Sequence, residues 1–292
     1  MTELRKRMLE ELQLRNYSPE TQRTYIAAVA RFARHFGKSP DKLGAEEIRA
    51  YQLHLLKEKE VAWSTLGLDL CALKFLYSKV LHQPWVVEKA ANPKVPRMLP
   101  TVLSREEVVR LLDSTVNLKH RAVLGTLYST GMRAAELRQL KVSDIDGPRR
   151  LVLIRHGKGG RQRYVMLSTQ LRDILRAYWR WRKPQDWLFP SAQRPSHPLD
   201  VSAIRRICHA AGKRAGIPRR VYPHLFRHSF ASHLLEDGVN LRRIQVLMGH
   251  ASIKTTAKYL LISQQTVQET VSPLDRLSLN RPQLPDGDGR RR

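Results

Sequence analysis

Pro93, Pro96 and Pro100 crowd into one nine-residue stretch, Asn92-Pro-Lys-Val-Pro-Arg-Met-Leu-Pro100. Proline fixes φ, removes a backbone donor and drives the preceding residue toward extended geometry, so neither a helix nor a sheet ladder can run through such a stretch. The chain must therefore build its structure on either side of it. The expected organisation is a domain over 1–92, a linker over 93–100, a second domain over 101–271 and a flexible tail over 272–292, rich in Pro, Asp, Gly and Arg. A length of 292 residues suits two domains.

The first part reads as helices. Ser18-Pro19-Glu20 places an N-cap before a proline at the first helical position. Tyr25, Val29, Phe32 and Phe36 then recur at helical spacing. Ile48, Tyr51 and Leu55 line one face of a helix expected over 45–57. Leu66, Leu70, Leu73 and Leu76 or Tyr77 line another beginning at Ser64. With an opening helix over 4–14, this predicts a bundle of four or five helices. Beyond the linker, Ser104-Arg-Glu-Glu107 is a capping box. Helices are expected near 121–128, from Arg133, and over 168–182, 200–215, 224–237, 240–249 and 252–262. Residues 151–155 and 163–167 flank Gly157-Lys158-Gly159-Gly160 and predict a β-hairpin with a lysine in its glycine-rich turn. The fold class expected is mainly α with a small β-hairpin or sheet.

The formal net charge is +26, against a 42% apolar content that rules out a disordered polybasic tail. Residues 1–100 carry 17 basic and 11 acidic side chains, a net of +6; residues 101–292 carry 35 and 15, a net of +20. Seven Lys/Arg and no carboxylate lie between Asp146 and Asp173, and again between Asp200 and Glu236. A solvated charged face normally intersperses counter-charges. Their absence over both windows favours a surface facing phosphates, which would neutralise this density. Nucleic acid is thus the expected partner, ahead of an anionic membrane surface. No apolar run is long enough for a spanning helix, and 1–11 lacks a signal-peptide core. Cys71 and Cys208 form no CxxC pair, which disfavours a disulfide framework or zinc knuckle and fits a reducing cytosol.

A few polar residues ask for explanation. Arg133 follows Gly131 where a helix begins and so opposes the helix dipole. A bound anion would offset that cost, although an exposed ion pair with Glu136 explains it as well. Lys158 sits between glycines that permit close backbone approach, without the spacing of a Walker A loop. His224 and Arg227 project from one helix face, while Phe226, Phe230, Leu234 and Leu235 form its buried side. A zinc pair of His224 and His228 lacks the HExxH glutamate and is disfavoured; His228 and His233 read as packed or solvent-facing. Gly249 looks like a helix terminator, with His250 in the loop after it. Tyr259 alone reads as core or interface. The combination points to phosphodiester chemistry. Two arginines can clamp non-bridging oxygens, a tyrosine can attack phosphorus, and a lysine and histidines can move protons.

The order Arg133, Lys158, His224-x-x-Arg227, His250, Tyr259 resembles that of the tyrosine recombinases, or phage-type integrases. STGMRAAEL, GKGGRQR, HLFRHSFASHLLEDGV and IQVLMGHASIKTTAKY carry the likeness, which is greatest to Xer-type or transposon-associated integrases. It implies an N-terminal helical core-binding, SAM-like domain and a mixed, mostly helical catalytic domain, together clamping duplex DNA and assembling as a tetrameric synapse. It implies Arg133 and Arg227 on the scissile phosphate, Lys158 as general acid and His224 in proton transfer. His250 would hydrogen-bond the phosphate, Tyr259 would form a 3′-phosphotyrosine, and Glu136 would be the acidic helper beside Arg133. No metal or nucleotide cofactor is implied. The partners would be a specific double-stranded DNA site and further copies of the chain, with a second recombinase or accessory factor left open. No membrane is involved, and the location would be cytoplasmic and nucleoid-associated. A type IB topoisomerase-like relaxing enzyme and a catalytically inactive DNA-binding protein are the alternatives. Phe226 departs from the small or aliphatic residue usual before the second arginine, and Leu-Leu-Ile-Ser follows Tyr259 in place of the frequent Thr-His. No long insertion follows Lys158, which speaks against an integron integrase.

Overall fold

The computed structural model describes residues 2–88, 101–155, 162–249 and 271–279. The expected linker, Lys158, His250 and the expected helix over 252–262 with Tyr259 lie outside the described residues. The chain divides into two compact units, Met1–Met98 and Leu99–Arg292.

The first unit is helical. It comprises α1 (Glu3–Leu14), α2 (Pro19–Phe36), α3 (Ala45–Lys57), α4 (Trp63–Phe75) and the short α5 (Trp85–Glu88). The Ser18 hydroxyl accepts from the Thr21 N–H at 3.2 Å, and Gly37 ends α2 in the left-handed conformation. Met8, Leu12, Phe32, Ile48, Leu66 and Leu73 form the core, with Tyr25 and Phe36 half-buried at its margin. The sequence left open whether Leu76 or Tyr77 faces inward, and both do. α4 runs on into a π-helical turn, Leu76–Val80, which helical periodicity does not signal. There the Tyr77 hydroxyl donates to the carbonyls of Pro40 at 2.7 Å and Leu43 at 2.9 Å.

The second unit contains α6 (Arg105–Asp113), α7 (Leu118–Thr130), α8 (Ala134–Arg138), β1 (Ile145–Asp146), β2 (Leu151–Ile154), β3 (Arg163–Met166), α9 (Thr169–Arg182), α10 (Val201–Arg214), α11 (Pro223–Glu236) and α12 (Leu241–Met248). The capping box closes as expected: Ser104 N–H donates to the Glu107 carboxylate at 2.9 Å, and Glu107 N–H returns to the Ser104 hydroxyl at 3.2 Å. α7 is buried along almost its whole length, its buried Thr126 and Thr130 hydroxyls donating back to the Ala122 and Thr126 carbonyls, and it packs against α9 and α11. The three strands form one antiparallel sheet in the order β1-β2-β3, with Ile154 opposite Arg163. β1 was not expected; two residues are too few to display an alternation. The helix beginning after Arg133 spans only five residues.

The expectation of a flexible segment from 272 onward needs correcting at its start. Pro273–Arg276 is a 3₁₀ turn docked on α7 and α9. The Ser272 and Ser129 hydroxyls lie 2.9 Å apart, Gln170 N–H donates to Asp275 at 3.1 Å, and Gln170 Nε2 donates to the Leu277 carbonyl at 2.6 Å. Leu274 is fully buried and Leu277 nearly so. Apolar burial, at about 25 cal/mol per Å², holds a turn whose prolines and charges had read as flexible. Among the described residues no helix is long and apolar enough to cross a membrane.

Candidate functional site

The site begins at the end of α7. Gly131 stops that helix with φ 59°, and a Cβ at this position would lie 2.3 Å from the Phe230 ring. α7 and α11 can therefore close on each other only over a glycine with left-handed backbone. The same turn delivers Arg133 as the residue capping α8. Glu136 folds back one turn later. Its Oε2 accepts from the Arg133 backbone N–H at 2.8 Å, and its Oε1 accepts from the Arg133 guanidinium at 2.9 Å. The sequence left an exposed pair and an anion site evenly matched, but Glu136 is only 4% exposed.

A second arginine meets the same carboxylate. Arg163, at the start of β3, donates from Nη1 to Oε1 at 3.0 Å and from Nη2 to Oε2 at 2.8 Å. Its Nε reaches the Leu247 carbonyl at 2.8 Å. Burial alone would raise the Glu136 pKa, but hydrogen bonds and charge from Arg163, then Arg133, outweigh it and hold the carboxyl below its ordinary value. Glu136 is thus a buried carboxylate kept ionised by two guanidinium groups.

Arg227 completes the cluster from α11. It is 2% exposed and donates to the Gly131 carbonyl at 2.7 Å and to the Met248 carbonyl. The Leu247 and Met248 carbonyls at the end of α12 therefore each meet a guanidinium, where the helix dipole favours positive charge. Burial, then repulsion from Arg133, pulls the Arg227 pKa down to about 10, with Glu136 opposing the shift. The group stays cationic at neutral pH but is poorly solvated and sits near like charge. An anion would relieve both penalties.

His224 stands one helical turn before Arg227 and is exposed; Phe226, Phe230 and Leu234 are buried as expected, but Leu235, one position past Leu234 and so turned off that face, is 54% exposed. Its ring lies edge-on to His228, with centroids 5.6 Å apart. Although the residue reaches solvent, partial desolvation of its ring, then the neighbouring His228, Arg227 and Arg133, lowers the His224 pKa below its ordinary value. At neutral pH it is therefore a neutral imidazole, able to accept a proton beside two cationic groups. His233 is packed, with Nδ1 at 2.8 Å from the Tyr128 hydroxyl.

Arg133, Arg227, His224 and Glu136 are thus brought together, whereas Lys158, His250 and Tyr259 fall outside the described residues. In the sequence Arg163 stood at the start of an expected strand and at the end of the GKGGRQR phrase, with no role assigned to it. A sharper signal was available: strand alternation places it on the same side as the buried Val165.

Comparison with known proteins gives the family of the chain. The phage integrase family matches residues 101–266, and the phage integrase N-terminal SAM-like domain matches residues 4–86. The chain is 46% identical over 286 residues to y4qK of Sinorhizobium fredii, an integrase/recombinase by name, covering 98% of this chain and 92% of the relative. It is 34% identical over 276 residues to tyrosine recombinase XerA of Pyrococcus furiosus, covering 92% and 94% of the two chains. The fold is similar to that of lambda integrase, solved as a dimer bound to a COC′ core site. That likeness has a TM-score of 0.70 at 18% identity and covers 85% of this chain and 94% of the other.

Proposed function

Because this chain belongs to the phage integrase family, the tyrosine recombinases, and so is an enzyme of DNA strand transfer, we propose that it recombines duplex DNA at a specific site through a 3′-phosphotyrosine on Tyr259, with no metal or nucleotide cofactor. The observation that carries this reading is the cluster of half-buried Arg133 with buried Glu136 and Arg227, beside a histidine whose pKa is lowered. It is a cationic cluster that a phosphodiester would neutralise, in the unit that holds +20 of the net charge.

The proposed reaction uses each group once. The Tyr259 oxygen attacks phosphorus and passes its proton to His224. Charge gained by the pentacoordinate phosphorane falls between Arg133 and Arg227, whose forked donors suit two non-bridging oxygens, and His250 adds a further hydrogen bond. The bond to the 5′-oxygen breaks, and Lys158 protonates the leaving oxygen. Attack by the 5′-hydroxyl of a second strand on the phosphotyrosine reverses these steps and releases Tyr259, so bond energy is conserved without a nucleotide. Arg163 and Glu136 keep Arg133 in place. The active assembly would be a tetramer on DNA, at work in the cytoplasm on the nucleoid.

Two experiments test the proton assignments. His224 must be neutral to accept a proton, and its pKa is depressed in the free protein. kcat/KM for cleavage, which reports free-enzyme groups, should hold through neutral pH and fall only as acidification passes below the ordinary histidine value of about 6.5. His224→Gln should slow the reaction and remove that acid limb; an unchanged limb would reassign the base. For the acid, Lys158→Ala should slow cleavage by about 10²–10⁴-fold while leaving DNA affinity nearly intact. A substrate with sulfur in the 5′-bridging position has a leaving group that needs no proton and should restore the rate. Failure of the sulfur substrate to restore it would make Lys158 something other than the acid.

A further inference from the structure

We propose that Arg163 is a positioning residue for strand transfer, fixing the start of α8 and the end of α12 in one relation. The proposal rests on the phosphotyrosine reading above. Arg163 begins β3, five residues after Lys158 in the sequence, and its side chain is 8% exposed. Its fork takes both oxygens of Glu136, at 3.0 and 2.8 Å, and its Nε takes the Leu247 carbonyl at 2.8 Å. Gly249 ends α12 at φ 61°, and a Cβ there would stand 3.0 Å from Arg163 Nη1. The helix end therefore approaches the guanidinium over a glycine.

The connectivity sets this contact apart from an ordinary buried ion pair. The last carbonyls of α12 rest on two guanidinium groups, Leu247 on Arg163 and Met248 on Arg227. Each also reaches the turn that presents Arg133, Arg163 through Glu136 and Arg227 through the Gly131 carbonyl. The residue after Gly249 is His250. Three segments of the proposed site thus converge on the Arg163–Glu136 pair: the Arg133 turn, the strand that follows Lys158 in the sequence, and the helix that leads into His250 and Tyr259. A planar fork with a third donor can serve both carboxylate oxygens and a carbonyl at once, whereas a lysine ammonium is a point charge. Arg163 is already committed to Glu136 and Leu247, so its role is to hold the groups that would meet the phosphate.

The test uses the full chain with Arg163→Ala, Arg163→Lys, Glu136→Gln and the Arg163→Ala/Glu136→Gln pair. The probe is the duplex that wild type captures covalently from a pool of randomised, singly nicked DNA. Affinity, single-turnover cleavage at saturating DNA and melting temperature are measured together. Loss of register by about 1 Å costs about a hundredfold in rate, so both Arg163 variants should cleave about a hundredfold more slowly with affinity little changed. The double variant should fall no further than the single ones. Should Arg163→Ala fail to fold, Arg163→Lys decides the matter on the same readouts. Wild-type cleavage in the folded Arg163 variants would overturn the proposal. So would rate and affinity falling together in proportion to lost stability, with Arg163→Lys restoring both, which is the mark of a merely structural cation. Absence of any covalent capture by wild type is a separate result that would overturn the phosphotyrosine reading and this proposal with it.

Discussion

Arg227→Ala is expected to abolish DNA cleavage while sparing most of the DNA affinity. Removing a preorganised donor from a developing oxyanion costs about 10²–10³ in rate, and Arg227 would supply net charge as well as donors, so the loss should reach at least the upper end. Affinity draws on many phosphate contacts along the duplex, each neutralised phosphate adding about 0.9 to the salt slope; loss of one leaves most of it. Stability responds in two directions. The substitution strands the Gly131 and Met248 carbonyls, which Arg227 now serves, at about 1–3 kcal/mol for each group left unpaired in the interior. It also removes a cationic group held in a poorly solvated place beside Arg133. The melting temperature should therefore fall modestly while cleavage collapses. Arg227→Lys keeps the charge but loses the fork, and should recover stability more than rate. Single-turnover cleavage at saturating DNA, read beside a melting curve, separates the two effects. A folded Arg227→Ala that cleaves within about tenfold of wild type would remove Arg227 from the phosphate site.

Gly131→Ala is the second large effect, and it begins in the backbone. Gly131 holds φ 59°, and a Cβ would collide with the Phe230 ring at 2.3 Å. A left-handed residue with a Cβ costs about 1–2 kcal/mol, and overpacking a core adds about 1–3 kcal/mol. The catalytic unit should lose about 2–5 kcal/mol by these two terms together, or about 10 °C in melting temperature at about 2–4 °C per kcal/mol. Gly216 provides the control. It has φ +66°, but a Cβ there would meet nothing within 4 Å, so Gly216→Ala should show the backbone cost alone. Equal melting shifts for the two variants would show that the α7–α11 approach is not constrained at Gly131. Because Gly131 offers its carbonyl to Arg227 and leads directly into Arg133, the surviving folded fraction of Gly131→Ala should also cleave poorly.

The parts of this architecture that could be read from sequence are those whose signal is local. Ser18-Pro19 and Ser104–Glu107 announce helix starts because a cap is satisfied within one turn. β2 and β3 announce themselves by apolar runs around a glycine-rich turn, and Arg133 with Glu136 by helical spacing. What stayed hidden depends on partners far apart in the chain or without side-chain identity. Arg163 finds Glu136 across 27 residues. Arg227 is held by main-chain carbonyls of Gly131 and Met248, which any residue could supply. The 3₁₀ turn Pro273–Arg276 docks because Ser129 lies 143 positions earlier in the chain, so its local composition misled. The π-helical turn at Leu76–Val80 and the two-residue β1 are too short to impose a period. The two arginines proposed to meet the phosphate were therefore legible as residue types in order, while the means of holding them in place was not.

The central claim is that strand transfer passes through Tyr259. Its most direct test is to trap the full chain on singly nicked duplex DNA under denaturing quench, digest both protein and DNA, and identify the modified peptide. The account predicts a nucleotide 3′-phosphate esterified to Tyr259, with no adduct from Tyr259→Phe, which should still bind DNA. An adduct on another residue, or an undiminished adduct in Tyr259→Phe, would contradict it.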